Sequence, residues 1–372
     1  MSILHDIHAS GQSIWYDYIS RGFLYSGEME RLVTGGLRGM TSNPTIFEGA
    51  IASGTDYDAQ IAELDAAGAS TADIATALFV SDVRQACDII RDVHTESNGT
   101  DGFISLEVAP TLAHDTEGTI AEARRLWAAV DRPNLMIKIP ATPAGWPAIQ
   151  ACIADGINVN VTLIFSIEQY RHVADAYIGG LEKRRADGNP IDNVHSVASV
   201  FVSRIDAMID ERLEAIGTDK ALALRGEAAL ANAKLVYRAF RDIFSDPRWA
   251  VLAADGAHVQ RPLWASTSTK NASYPDLIYV DNLIGPDTVN TVPPATLTAI
   301  LDHGKADATI DDGAVEAERT IERIEEVGVS IAEVMERLLT EGVDKFVASF
   351  TALFEKIEAK RDALRLSSLP QS

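Results

Sequence analysis

An ammonium group has no ordinary place in the run Leu135-Met136-Ile137-Lys138-Ile139-Pro140, yet Lys138 sits inside it. The chain has nine lysines, and the other eight lie in polar or amphipathic settings such as Glu182-Lys183-Arg184 and Asp344-Lys345. A short apolar run bounded by Asn134 and Pro140 reads as a buried strand. Burial disfavours the charged form of an amine, and a neutral amine attacks carbonyl carbon. A lysine that caps the strand end, or that pairs with a buried carboxylate, fits the same pattern, so position alone leaves both readings open. Glu107, between Leu106 and Val108 in another apolar run, is costly to bury unpaired, so it either pairs with Lys138 or positions a catalytic water. Asp17, after Trp15-Tyr16, is either a helix cap or a base.

These residues need a scaffold that brings them together. Eight short apolar or alternating runs are expected as strands: Ser13 to Asp17, Gly39 to Ser42, Phe103 to Val108, Leu135 to Ile139, Asn158 to Ile164, Ser196 to Val202, Pro262 to Ser266 and Leu277 to Asp281. Segments with apolar residues at helical spacing separate them, such as Ile74 through Ile90 and Ala223 through Phe244. Eight strands alternating with helices predict a (β/α)8 TIM barrel, although the pattern alone leaves a doubly wound sheet open. The segment from Val315 to Leu366 carries Ile321, Ile324, Val327, Ile331, Val334 and Leu338-Leu339 as one apolar stripe, which predicts C-terminal helices over 313–366 that cover the barrel. With no long linker and no repeat, residues 1–372 are expected to form a single domain. The segment between Gly217 and Arg261 reveals no role.

A barrel of this kind assembles its active site at the C-terminal strand ends. Those ends would supply Asp17, Thr41 with Asn43, Glu107, Lys138, Asn160 with Thr162, and Ser199 with Arg204 just beyond. One amine, two carboxylates and a set of neutral hydrogen-bonding groups are the equipment for imine chemistry on a polyhydroxylated substrate.

Composition narrows the class. A chain of 372 residues with 47% hydrophobic content can bury a large core. The net charge of −22 argues against a nucleic-acid partner and obliges any phosphorylated substrate to find a local cluster of cations. Cys87 and Cys152 lack the spacing of a disulfide framework or a thiolate site, and the eight histidines form no metal constellation. No basic stretch leads into an apolar region at the N-terminus, and no run is long enough to span a membrane, so a cytoplasmic location is expected. A homo-oligomer is compatible with all of this.

Two motifs carry a resemblance. Gly39-Met40-Thr41-Ser42-Asn43-Pro44-Thr45-Ile46-Phe47 and Met136-Ile137-Lys138-Ile139-Pro140-Ala141-Thr142 with Gly145 are similar to the two signatures of the transaldolases, the second containing the Schiff-base lysine. Gly156 to Ser166, Ser199 to Arg204 and Glu341 to Phe346 extend the match over nearly the whole chain. The length and the Trp264-Ala265-Ser266-Thr267 stretch resemble the longer bacterial branch. The resemblance implies a (β/α)8 barrel and transfer of a dihydroxyacetone unit between sugar phosphates through an imine at Lys138, without a cofactor or metal. It also implies that Asp17 moves the substrate proton and that Glu107 and Thr162 handle water. Thr41, Asn43, Asn160, Ser199 and Phe201 would then face substrate, and Arg204 would hold phosphate. Where many members carry a second phosphate-contacting arginine, this chain has Lys270, a point charge without the bidentate fork. Related aldolases tend to carry Tyr and Gln where this chain has Phe201 and Glu107, which leaves a class I aldolase as the nearer alternative and a non-catalytic barrel as the more distant one.

Overall fold

The computed structural model describes residues 2–367. Met1 and residues 368–372, which the single-domain expectation includes, lie outside the described residues. Eight parallel strands close into a barrel in chain order: β1 (Gln12–Asp17), β2 (Gly39–Thr41), β3 (Phe103–Glu107), β4 (Leu135–Pro140), β5 (Val159–Ile164), β6 (Ser196–Phe201), β7 (Arg261–Ala265) and β8 (Thr288–Val292). Every residue of β4, β5 and β6 is buried, because one face meets the barrel interior and the other meets the helical ring. The fold is the (β/α)8 barrel expected from the alternation.

The eighth strand is not where the apolar run Leu277 to Asp281 suggests. That run forms a short helix, Ile278–Asp281, and the sheet is closed by Thr288–Val292 instead. Leu277, Tyr279 and Val280 are all buried, so the run has the apolar and aromatic composition of a strand without its alternation. Pro275 starts the turn into the helix, whose Tyr279 carbonyl accepts from Asn290 Nδ2 at 3.2 Å rather than from a neighbouring strand. Thr288–Val292 pairs with both β1 and β7.

Local sequence explains how the strands turn into helices. Asn43 is the N-cap of the helix Pro44–Ser53, its side chain accepting from Ile46 N, with proline in the first turn where its missing N–H costs nothing. Ser166 and Gln169 form a capping box that starts the helix Ile167–Ala186. Between β4 and its helix, Gly145 lies so close to the strand end that a Cβ there would stand 2.1 Å from the Pro140 carbonyl oxygen.

The C-terminal stripe is broken at Gly328, which takes φ +101° and separates the helices Ala314–Glu326 and Ile331–Ser367. The first packs on the helix Ala228–Ile243 in the outer ring, and the second packs on Pro44–Ser53. Lys360 Nζ reaches the Ile51 carbonyl at 2.9 Å and Asp58 Oδ1 at 2.8 Å, and Thr45 donates to Ser349 at 2.9 Å. Near the end of β5 the register shifts between Val161 and Ile164, and Leu163 adopts φ +60°. The bulge turns Leu163 towards Gly342 of the long helix, where a Cβ would stand 2.9 Å from its Cδ2.

At the opposite, N-terminal end of the barrel Asp101 and Arg261 line a second cavity of about 250 Å³. Asp101 accepts from Ser13 Oγ at 2.6 Å, Trp15 Nε1 at 3.3 Å and Arg261 Nη2 at 3.0 Å. Burial would raise its pKa, but the Arg261 guanidinium, these hydrogen bonds and Arg38 outweigh it and hold the carboxyl below its ordinary value.

Gly145→Ala should therefore cost about 1–3 kcal/mol, since the added methyl meets a backbone carbonyl that no rotamer change can move away. Urea denaturation checks this, and a variant with the parental midpoint would show that the β4 end has slack.

Candidate active site

The pairing register places the reactive groups before any side chain is considered. Glu107 of β3 lies opposite Lys138 of β4, and Lys138 lies opposite Asn160 of β5. Parallel pairing puts such partners on the same face, so the three side chains form a row around the barrel interior. Lys138 is only 6% exposed; its Nζ donates to the Ser42 carbonyl at 3.3 Å and sits 3.8 Å from Glu107 Oε2. The latter distance is too long for a hydrogen bond, so the two charges face each other without being locked together.

Above this row opens a cavity of about 220 Å³ at the C-terminal strand ends. Asp17, Thr41, Asn43, Lys138, Thr162, Ser199, Phe201, Arg204 and Lys270 all line it, as expected from the sequence. Asn160 does not: its Nδ2 donates to Ser105 Oγ at 2.9 Å and its Oδ1 accepts from Ser199 at 2.7 Å, so it anchors the serine from behind. Glu107 likewise stands behind Lys138, only 7% of its side chain exposed. Thr41 donates to Asp17 Oδ1 at 2.7 Å and lies 2.7 Å from Thr291 Oγ1; since one hydroxyl donates once, Thr291 is the donor in that second contact.

Both carboxyl groups bind protons more tightly than in water. Burial raises Asp17, against the lowering effects of the Lys138 charge and the Thr41 hydrogen bond. Burial also pushes Glu107 up to about 7, the Lys138 charge working downward and Asp17 upward. Glu107 Oε2 and Thr162 Oγ1 are both buried and make no hydrogen bond to protein. Two such orphans beside one amine indicate a place where a small polar molecule completes the bonding.

At the outer rim the charge reverses. Arg204 lies with its guanidinium 5.1 Å from the Phe201 ring centre. Lys270 donates to Ser268 Oγ at 2.7 Å. Burial lowers the pKa of both cations, and Arg204 lowers Lys270 further. Among the described residues no carboxylate makes an ion pair with either.

Residues 14–357 match the family model described as transaldolase/fructose-6-phosphate aldolase. The chain is 49% identical over 361 residues to a transaldolase of Mycolicibacterium smegmatis, covering 96% of this chain and 97% of that protein. It is 49% identical over 358 residues to a transaldolase of Thermobifida fusca, with coverages of 96% and 97%, and 49% identical over 374 residues to transaldolase 2 of a Nostoc species, with coverages of 97% and 98%. The chain belongs to the transaldolase/fructose-6-phosphate aldolase family.

Lys138 on β4 and Asn43 on the β2 turn both face one cavity, as expected from the sequence. Several lining residues escape sequence reasoning. Thr291 was hidden by the misplaced eighth strand, although Thr288-Val289-Asn290-Thr291-Val292 between two prolines is a run rich in β-branched residues that could have found it. Phe346 comes from the long C-terminal helix, where it is one aromatic among many; its ring centre lies 5.5 Å from Lys138 Nζ. Ser266 and Ser268 follow β7, the former at φ +55°, and nothing in their types distinguishes them from ordinary turn residues. Among the described residues no group of histidines, cysteines and carboxylates is arranged to hold a metal, and no helix is long and apolar enough to cross a membrane.

A carboxyl whose pKa is higher in the folded state takes up a proton on folding, so it weakens the fold as pH rises from its ordinary 4.5 towards 7. Glu107→Gln removes that term, and the variant should gain stability relative to the parent over this window. Urea denaturation at several pH values measures the difference; one independent of pH would mean that Glu107 is ionised throughout.

Proposed function

We propose that this protein transfers a dihydroxyacetone unit from a ketose phosphate, such as sedoheptulose 7-phosphate or fructose 6-phosphate, to an aldose phosphate, such as glyceraldehyde 3-phosphate or erythrose 4-phosphate. The observation that carries the proposal is the setting of Lys138: a buried amine at the wall of a polar cavity, with one carboxyl behind it and another across the mouth.

In this mechanism the Lys138 amine attacks the C2 carbonyl, and the resulting carbinolamine loses water to give a protonated imine. Water must be protonated to leave and deprotonated to return, and a carboxyl near 7 exists in both forms at neutral pH. Glu107 and Thr162, whose buried Oε2 and Oγ1 make no hydrogen bond to protein, would hold that water. Asp17 then takes the C4 hydroxyl proton, the C3–C4 bond breaks, and its electron pair moves into the imine to form an enamine. The aldose phosphate leaves. The enamine carbon next attacks the carbonyl of the acceptor, Asp17 returns the proton to the new hydroxyl, and water releases the product from Lys138. Thr41 orients Asp17 through their hydrogen bond. Asn43 and Ser199, the latter braced by Asn160, face the substrate hydroxyls, and Arg204 with Lys270 receives the phosphate. The cytoplasm, where sugar phosphates are exchanged, is the proposed location.

A second reading, cleavage to free dihydroxyacetone, shares every step up to the enamine. Phe201 speaks against it: its ring faces the cavity and offers no hydroxyl to deliver a proton or water to the three-carbon intermediate. An assay with fructose 6-phosphate should show rapid turnover only with erythrose 4-phosphate present. Equal rates of ketose consumption without acceptor would favour the aldolase. Borohydride reduction in the presence of fructose 6-phosphate should attach a three-carbon unit to Lys138, and mapping it to another lysine would refute the mechanism.

Asp17→Asn preserves shape and removes the base, so imine formation should survive while carbon–carbon cleavage slows roughly 10²–10⁴-fold. Mass spectrometry after borohydride trapping should then find a six-carbon phosphorylated adduct. A three-carbon adduct formed at the parental rate would reverse the roles of Asp17 and Glu107.

A further inference from the structure

Arg204 and Lys270 come from different connections, one after β6 and the other after β7, and their like charges repel. Something must hold Lys270 in place. The helix Ser203–Ile216, which carries Arg204 in its first turn, also carries Asp206 and Asp210 one turn apart. Each carboxylate makes the same pair of bonds. Asp210 accepts from Tyr274 OH at 2.6 Å and from Gly226 N at 3.0 Å; Asp206 accepts from Tyr279 OH at 2.6 Å and from Ala229 N at 2.8 Å.

Both tyrosines belong to the connection that contains Lys270. Between Lys270 and Tyr274 the chain is folded on itself: Tyr274 N donates to the Asn271 carbonyl at 3.1 Å, Ser273 N to Asn271 Oδ1 at 2.9 Å, and Thr269 Oγ1 to the Pro275 carbonyl at 3.0 Å. A compact turn moves with its anchor, so fixing the Tyr274 phenol fixes Lys270. Gly226 closes the other side of the anchor, since a Cβ there would stand 2.9 Å from Tyr274 Cζ.

We infer that Tyr274 is a positioning residue for phosphate recognition, holding Lys270 beside Arg204 through its hydrogen bond to Asp210. Tyr279 and Asp206 secure the far end of the same connection. The inference rests on the assignment of Arg204 and Lys270 to the substrate phosphate. One helix then supplies the first cation directly and the second through a carboxylate clasp. This arrangement keeps two cations together before any anion arrives to relieve their repulsion, which is what preorganisation requires.

Tyr274→Phe removes the phenol donor and keeps the ring. With fructose 6-phosphate as donor, KM should rise about 3–10-fold with kcat little changed, and inorganic phosphate should weaken as a competitive inhibitor by a similar factor. With unphosphorylated fructose as donor, kcat/KM should stay at the parental value. Asp210→Ala breaks the clasp from the other side and should reproduce this selective loss. In the Lys270→Ala background, Tyr274→Phe should add nothing, because a positioning residue has no effect once its target is gone. Effects that add in the double variant, or equal losses for phosphorylated and unphosphorylated donors, would overturn the inference and make Tyr274 merely structural. A raised KM in Lys270→Ala alongside a parental Tyr274→Phe would overturn the positioning claim alone. An unchanged KM in Lys270→Ala would overturn the phosphate assignment and the inference with it.

Discussion

The constraint on which the structure depends is an amine buried opposite a carboxyl on the next strand, held near but not in a hydrogen bond. Lys138 and Glu107 are paired by strand register, yet Nζ and Oε2 stay 3.8 Å apart. A closed ion pair would bring the Lys138 charge, which already works to lower the Glu107 pKa, closer and take away the carboxyl's affinity for a proton. Full separation would leave each charge uncompensated in a low-dielectric interior, at several kcal/mol per ion. Strand register sets the two residues side by side, and the Ser42 carbonyl, which accepts from Nζ at 3.3 Å, draws the amine away from the carboxyl. Asn160, Ser105 and Ser199 form a hydrogen-bonded floor beneath the pair and fix its surroundings.

The two ends of the barrel treat the same chemistry in opposite ways. At the N-terminal end Asp101 is saturated by hydroxyl, indole and guanidinium donors, and its carboxyl is held ionised. At the C-terminal end Glu107 keeps an oxygen without a partner and its pKa rises to about 7. A satisfied carboxylate holds the strands together, whereas an unsatisfied one retains the capacity to exchange a proton. The difference lies in the donors that surround each group, not in how deeply it is buried.

Much of this was legible in the sequence for physical reasons. Lys138 announced itself by breaking an apolar run, and the alternation of buried runs with helical segments prescribed the barrel. Asn43 was recognisable from its motif, and the structure shows that the residue is also required locally as a helix cap. The eighth strand was misread because apolar and aromatic content was weighed above β-branched content, and Thr291 was lost with it. Asn160 was expected against the substrate and instead stands behind Ser199, since composition cannot say which of two adjacent polar groups occupies the front row. Phe346 and the clasp through Tyr274 were invisible because their roles arise from contacts between elements distant in the chain.

The long helix Ile331–Ser367 makes the cavity depend on a segment remote from the strands that build it. The barrel strands all precede this helix in the chain, and the Lys138 side of the cavity is walled where the segment bearing Phe346 rests on Pro44–Ser53. The same holds for the bulge at Leu163, whose counterpart Gly342 lies on this helix. The wall of the cavity on the Lys138 side therefore joins two segments about two hundred residues apart, so a change in how the long helix seats on Pro44–Ser53 would reach the lysine without altering any barrel strand.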